Sequence, residues 1–284
     1  MSAVPRPVPI ETLPLFPVLD EQLLAFLRRL TPAEWERQTL APRWKVLDVA
    51  LHLLAGNLQT LSMLRDGYFG VAPADPGSYA GIVQFLNELN ADWLKATRRL
   101  SPRIVLELLA STGEEYTAFL STLDPWAPAA FAVGWAGEQT SPNWFHIARD
   151  YTEKWHHQQQ IRQAVGRGEG ELLTPELYHP FLATCVRALP HHYCHVAAEP
   201  GHTLQLTVTG AGGGTWFLQR NGAGQWELQD SAAGPVVAVA TIDGAVAWRL
   251  FTKSLPRTLA EAHVQLAGDQ RLGAPIFDLI TVMG

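Results

Sequence analysis

Cysteine is scarce in this chain: Cys185 and Cys194 are the two in 284 residues, and they are not spaced as C-x-x-C. That excludes a disulfide framework and points to a reducing, cytoplasmic setting with both thiols buried or idle. Charge is also sparse, at 17% of residues, with a net of −6 and no basic run. This argues against nucleic acid as the main partner. No apolar stretch approaches the roughly 20 residues that a bilayer span needs, so no membrane partner is expected. The opening MSAVPRPVPIETLPLFP is proline-rich and has no apolar h-region, which argues against a signal peptide.

What the chain does have is apolar and aromatic mass. Hydrophobic residues make up 47% and tryptophan occurs ten times, enough for a sizeable core. The length fits one large domain or two ordinary ones.

The most informative stretch is SPNWFHIARDYTEKWHHQQQIRQAVG, Ser141–Gly166. It reads as one long helix, with Ser141 as cap, Pro142 at the first position and Gly166 as the left-handed stop. At roughly 100° per residue, His146, Asp150, Glu153, His157 and Gln160 share one face. Glu153 and His157 stand four apart, so both side chains can reach one ion. A lone E-x-x-x-H is more often a solvated polar face. Here the surroundings are apolar, with Trp44, Trp135, Trp144 and Trp155 near the candidate ligands, and a suitable third candidate exists upstream.

That candidate is His52, within WKVLDVALHLLAGNLQTLSMLR, Trp44–Arg65, a helix apolar on most faces. Asp48 precedes it by four residues and is placed to orient its ring. The plain alternatives are a core histidine bonded to a carbonyl and a surface aspartate. Other helices are expected over Val18–Leu30, from the capping-box sequence at Thr31–Glu34, and over Tyr79–Leu100 and from Ser101-Pro102 to about Leu120. Residues 1–17 read as an extended arm, Gly67–Gly77 as a loop, and Asp124–Thr140 as a long loop of the kind that borders sites. Four long helices with short to moderate links form a four-helix bundle.

Composition shifts at Arg167-Gly-Glu-Gly-Glu171, which reads as a linker. Pro175–Leu189 is expected to be helical. Thr203–Thr209, Thr215–Arg220, Trp226–Gln229 and Val236–Ile242 read as strands, with Asn221-Gly222 in a hairpin. Gly244–Thr252 reads as helix, His263–Ala267 as extended and Arg271–Met283 as helix. Trp216, Phe217 and Trp226 are assigned to or beside a second core. The glycine run Gly210–Gly214 lacks the Lys-Ser/Thr ending of a phosphate loop, and strands flank it.

LTPAEWERQTLAPRWKVLDVALHLLAGN, Leu30–Asn57, taken with EKWHHQQQIRQAVG, Glu153–Gly166, resembles the mycothiol-dependent maleylpyruvate isomerase family, within the wider DinB-like metal-binding bundles. The stretches RALPHHYCHV, GTWFLQR, AWRLFTK and GDQRLGAPIFDLI resemble that family's second domain, similar to sterol-carrier folds. The resemblance implies an α+β two-domain protein: residues 1–167 a DinB-like four-helix bundle, and 168–284 a smaller α+β domain. It implies His52, Glu153 and His157 as ligands of a divalent metal. His156 points about 100° away from His157 and is not counted. Gln160 stands where the family often has aspartate, in the outer shell with Asp48. Arg249 or Lys253 corresponds to a basic residue implicated in the family's activity.

Two histidines and a carboxylate leave positions open, the pattern of a catalytic site; zinc suits the set, and nickel or iron(II) could occupy it. The resemblance implies a low-molecular-weight thiol such as mycothiol as cofactor and a small acidic substrate. Thiolate addition, rotation and elimination give cis–trans isomerisation, and displacement or simple addition gives S-transfer. The competing reading is a DinB-like metal- or ligand-binding protein without turnover. A bundle with no metal is disfavoured, because burying Asp48, His52, Glu153 and His157 unpaired costs several kcal/mol. The chain is expected to be a monomer or a homodimer.

Overall fold

The computed structural model describes residues 8–75 and 78–282. Residues 1–7 of the expected arm, Pro76 and Gly77 of the expected loop and Met283 of the expected last helix lie outside these. Phe16–Leu27 forms α1, Pro32–Trp35 α2, Val46–Thr60 α3, Tyr79–Thr97 α4, Pro102–Leu120 α5 and Asn143–Val165 α6. A short π turn, Leu61–Arg65, extends α3. Helix α2 begins with the expected reciprocal cap: the Thr31 hydroxyl accepts from Glu34 N–H, and the Glu34 carboxylate accepts from Thr31 N–H at 2.8 Å. The Ser101 hydroxyl accepts from Ile104 N–H to start α5. These helices pack with α3 against α4, α5 and α6, while α1 lies on α5 and α6. Gly113 on α5 lets α1 come close, since a Cβ there would sit 2.7 Å from an Asp20 carboxylate oxygen.

Pro175–Cys185 is α7 and Leu189–His192 is α8, joined by a 3-10 turn. A five-stranded sheet follows: β1 Thr203–Val208, β2 Gly214–Arg220, β3 Trp226–Gln229, β4 Val236–Ile242 and β5 Val264–Gly268. Its order is β3-β2-β1-β4-β5, antiparallel except for the parallel β1–β4 pair. Gly244–Phe251, α9, crosses toward Arg257–Ala260, α10, and Gln270–Gly273, α11, follows β5. The β2–β3 hairpin is longer than two residues: Asn221 N–H donates to Gln225 C=O, and Gly224 takes the left-handed position at φ 78.

Two expectations about elements are corrected. The helix expected over Arg271–Met283 stops early: α11 gives way to a 3-10 turn through Pro275, and Leu279 is extended. Proline there lacks the N–H an α-helix needs, and Thr281 bonds instead to the Phe251 carbonyl. The cap expected at Ser141 moves to Pro142, because the Ser141 hydroxyl is engaged by Val133 N–H and donates to Glu138.

Among the described residues the sheet has no core of its own. One apolar cluster runs from Phe16 and Tyr116 through Trp155, Tyr178 and Phe181 to Leu206, Ala240 and Trp248. Trp226 joins it, and Trp216 packs against it while stacking on His179. A second cluster among the helices holds Leu23, Val49, Leu54, Val105, Ile161 and Val165. Helix α6 supplies side chains to both.

Many of its buried polar side chains find partners, although the Gln158 and Gln159 side-chain oxygens have none among the described residues. Gln158 donates to Leu19 C=O, Gln159 to Glu169 C=O, and Tyr151 to Leu177 C=O. Lys154 pairs with Asp20 at 2.9 Å and lies over the Tyr116 ring.

Candidate functional site

The three expected ligands meet. One donor atom from each of His52, Glu153 and His157 lies within 4.8 Å of the other two. Helix α6 presents Glu153 and His157 one turn apart, with His157 Nε2 3.4 Å from Glu153 Oε2. Helix α3 brings His52 across, its ring edge-on to His157 at 4.7 Å between centroids. Trp44, just before α3, covers both rings at 4.7 and 5.9 Å.

Each imidazole is held by its other nitrogen. His52 Nδ1 meets Asn90 Oδ1 at 3.2 Å, and His157 Nδ1 meets Gln160 Oε1 at 3.0 Å. With an amide oxygen accepting at each Nδ1, both rings carry their proton there and turn the Nε2 lone pair inward.

Burial and the neighbouring His157 push the His52 imidazole down to about 3, so it is neutral at pH 7. Burial alone would raise the Glu153 carboxyl, but the His157 ring beside it and the nearby Arg149 guanidinium hold it well below the usual carboxylate range. A neutral imidazole and an ionised carboxylate are the forms a cation requires. Two donors about 2.1 Å from a tetrahedral zinc stand about 3.4 Å apart, the separation found between His157 and Glu153. The residues present therefore fit a divalent metal.

His156 faces elsewhere, as expected: its Nδ1 donates to Thr152 C=O at 2.8 Å, and burial and His157 push it down to about 4. Asp48 is engaged elsewhere too, which corrects the role expected of it. It sits in the first turn of α3, where its carboxylate accepts from Lys45 N–H at 2.9 Å. Asn90 on α4 takes the place beside the His52 ring. The sequence carried one signal for it: a polar residue bordering the apolar stripe of Leu86, Leu89 and Trp93.

Arg249 lies near the end of α9, its Nε buried without a hydrogen-bond partner among the described residues. Lys253 is exposed just beyond, in the left-handed region at φ 57. Trp248 connects α9 to α6 through Trp155, 6.3 Å away between rings. Trp155 is two residues past Glu153, about 200° around the helix. Thr281 bonds to Phe251 C=O and to the Cys185 thiol, which burial pushes up to about 12, with the Glu153 carboxylate adding to the rise.

Residues 16–162 match the family described as the mycothiol maleylpyruvate isomerase N-terminal domain. Two solved structures are similar in fold: the mycothiol-dependent maleylpyruvate isomerase, at 14% identity, and a histidine-to-alanine mutant of it, at 13%. Each has a TM-score of 0.54, with 92% of this chain and 95% of that chain covered. No curated protein matches the chain.

Proposed function

The chain belongs to the mycothiol maleylpyruvate isomerase N-terminal domain family, and from that premise we propose that it is a divalent-metal-dependent enzyme using a mycothiol-type thiol for cis–trans isomerisation or S-transfer on a small acidic substrate. The observation that carries this reading is the convergence of His52, Glu153 and His157 within 4.8 Å. These three would hold the metal, zinc by the chemistry of the donor set, with Asn90 and Gln160 orienting the rings. A divalent metal bound there supplies a positive centre that favours the thiolate form of a thiol. Trp44 shields the two imidazoles, and the partly open Glu153 leaves a way in from solvent.

The proposal extends to architecture: a DinB-like four-helix bundle over 1–167 and a sterol-carrier-like α+β unit over 168–284, in a cytoplasmic monomer or homodimer. Arg249 or Lys253 would bring positive charge to the substrate.

The test is metal analysis of purified protein, followed by ultraviolet titration of mycothiol, bacillithiol and glutathione with and without metal. The metal-loaded protein should lower the thiol pKa, His52→Ala should abolish the effect, and His156→Ala should retain it. An unchanged pKa for all three thiols overturns the reading in favour of a binding protein without turnover.

A further inference from the structure

Helix α6 is enclosed. From Asn143 to Arg162 every residue is buried except two, Arg149 and Glu153, which stand one turn apart on the same face. Their side chains are 24% and 25% exposed. Solvent thus reaches the middle of this helix at one window, and the window holds a metal-ligand carboxylate and a guanidinium.

Arg149 is fixed in place. A guanidinium nitrogen lies 3.0 Å from Asp150 Oδ1. The other Asp150 oxygen accepts from the Tyr116 hydroxyl at 2.7 Å, and His146 Nε2 is 3.7 Å from it. Asp150 is therefore a braced bracket. A guanidinium has five N–H donors, and one contact with Asp150 leaves a fork available. None of the Arg149 nitrogens is a buried atom without a partner among the described residues, so each is either bonded or reached by solvent.

We propose that Arg149 is the anion anchor of the site, receiving a carboxylate of the small acidic substrate at the window beside Glu153. This rests on the reading of the converged donors as a metal site. Arginine matches a carboxylate with two parallel hydrogen bonds, which fixes orientation as well as charge. Asp150 and Glu153 alone would repel an acid from this opening, and Arg149 together with the bound cation reverses that sign.

The test is calorimetric titration of zinc-loaded protein with succinate, a dicarboxylate that cannot isomerise, and with neutral succinamide. Wild type, Arg149→Gln and Arg149→Lys are compared at equal measured zinc occupancy. Arg149→Gln should weaken succinate binding at least tenfold, Arg149→Lys by a few-fold, and succinamide should bind no variant measurably. Equal succinate affinity in wild type and Arg149→Gln overturns the proposal. Should Arg149→Gln fail to fold, Arg149→Lys decides, and unchanged affinity there overturns it as well. Succinate binding needs no thiol, so a failed thiol titration and a failed anchor are separate results.

Discussion

The Asn90 side-chain oxygen on α4 meets His52 Nδ1 on α3 at 3.2 Å, and so fixes which nitrogen of His52 faces Glu153. Partners of this kind set ligand orientation and basicity, and losing one costs roughly 10–100-fold in metal affinity. Asn90→Leu and Gln160→Leu should each weaken zinc binding by about that factor, measured by competition with a chelator. Asp48→Ala should leave zinc affinity unchanged and cost about 0.5–1.5 kcal/mol of stability, because it removes a helix-start contact. Loss of zinc affinity in Asp48→Ala would return it to the site.

Acid should destabilise the metal-free protein above the carboxylate range. The imidazoles of His52 and His156 titrate near 6.5 when unfolded, and are pushed to about 3 and about 4 in the fold. Between those values the unfolded chain binds more protons, so stability rises with pH. Their contribution is complete above 6.5 and is lost as pH falls. Melting temperatures of metal-free protein should drop from pH 7 to pH 5, and His156→Gln should flatten the slope. Glu34, held to about 2 by Arg167, acts only at lower pH and does not confuse this window.

Trp155 is fully buried, stacked on Tyr178 at 4.8 Å and packed on Phe181 at 4.4 Å. Its indole also donates to Leu172 C=O. Trp155→Ala should cost about 3–5 kcal/mol. Because α6, α7 and α9 meet there, denaturant unfolding followed by helix and sheet signals should shift together. Separate transitions would show that the two regions are energetically independent.

Lys253→Ala or Arg249→Ala should slow turnover of an acidic substrate with zinc content unchanged. Steady-state kinetics beside metal analysis gives the answer, and full activity in both variants removes the pair from the site.

Much of the site was legible in the sequence because Glu153, His157 and Gln160 share one helix, where spacing dictates geometry. His52 required the family resemblance, since nothing local says which faces of two helices meet. Asp48 was misplaced for the same reason. Spacing along one helix reveals neighbours at three and four residues, whereas Asn90 arrives from a different helix. The strands were readable from alternation. The continuous core was not, because composition along the chain shows where polarity shifts and says nothing of which apolar faces fuse.

The enclosed position of α6 also has a consequence for synthesis. Its Trp155 face leaves the ribosome bare and stays so until Tyr178 and then Trp248 emerge, a wait of roughly 5–20 s at about 5–20 residues per second. The nascent helices expose aromatic surface throughout that interval. A chaperone that holds this half until the sheet is made would guard the helix that carries Glu153 and His157.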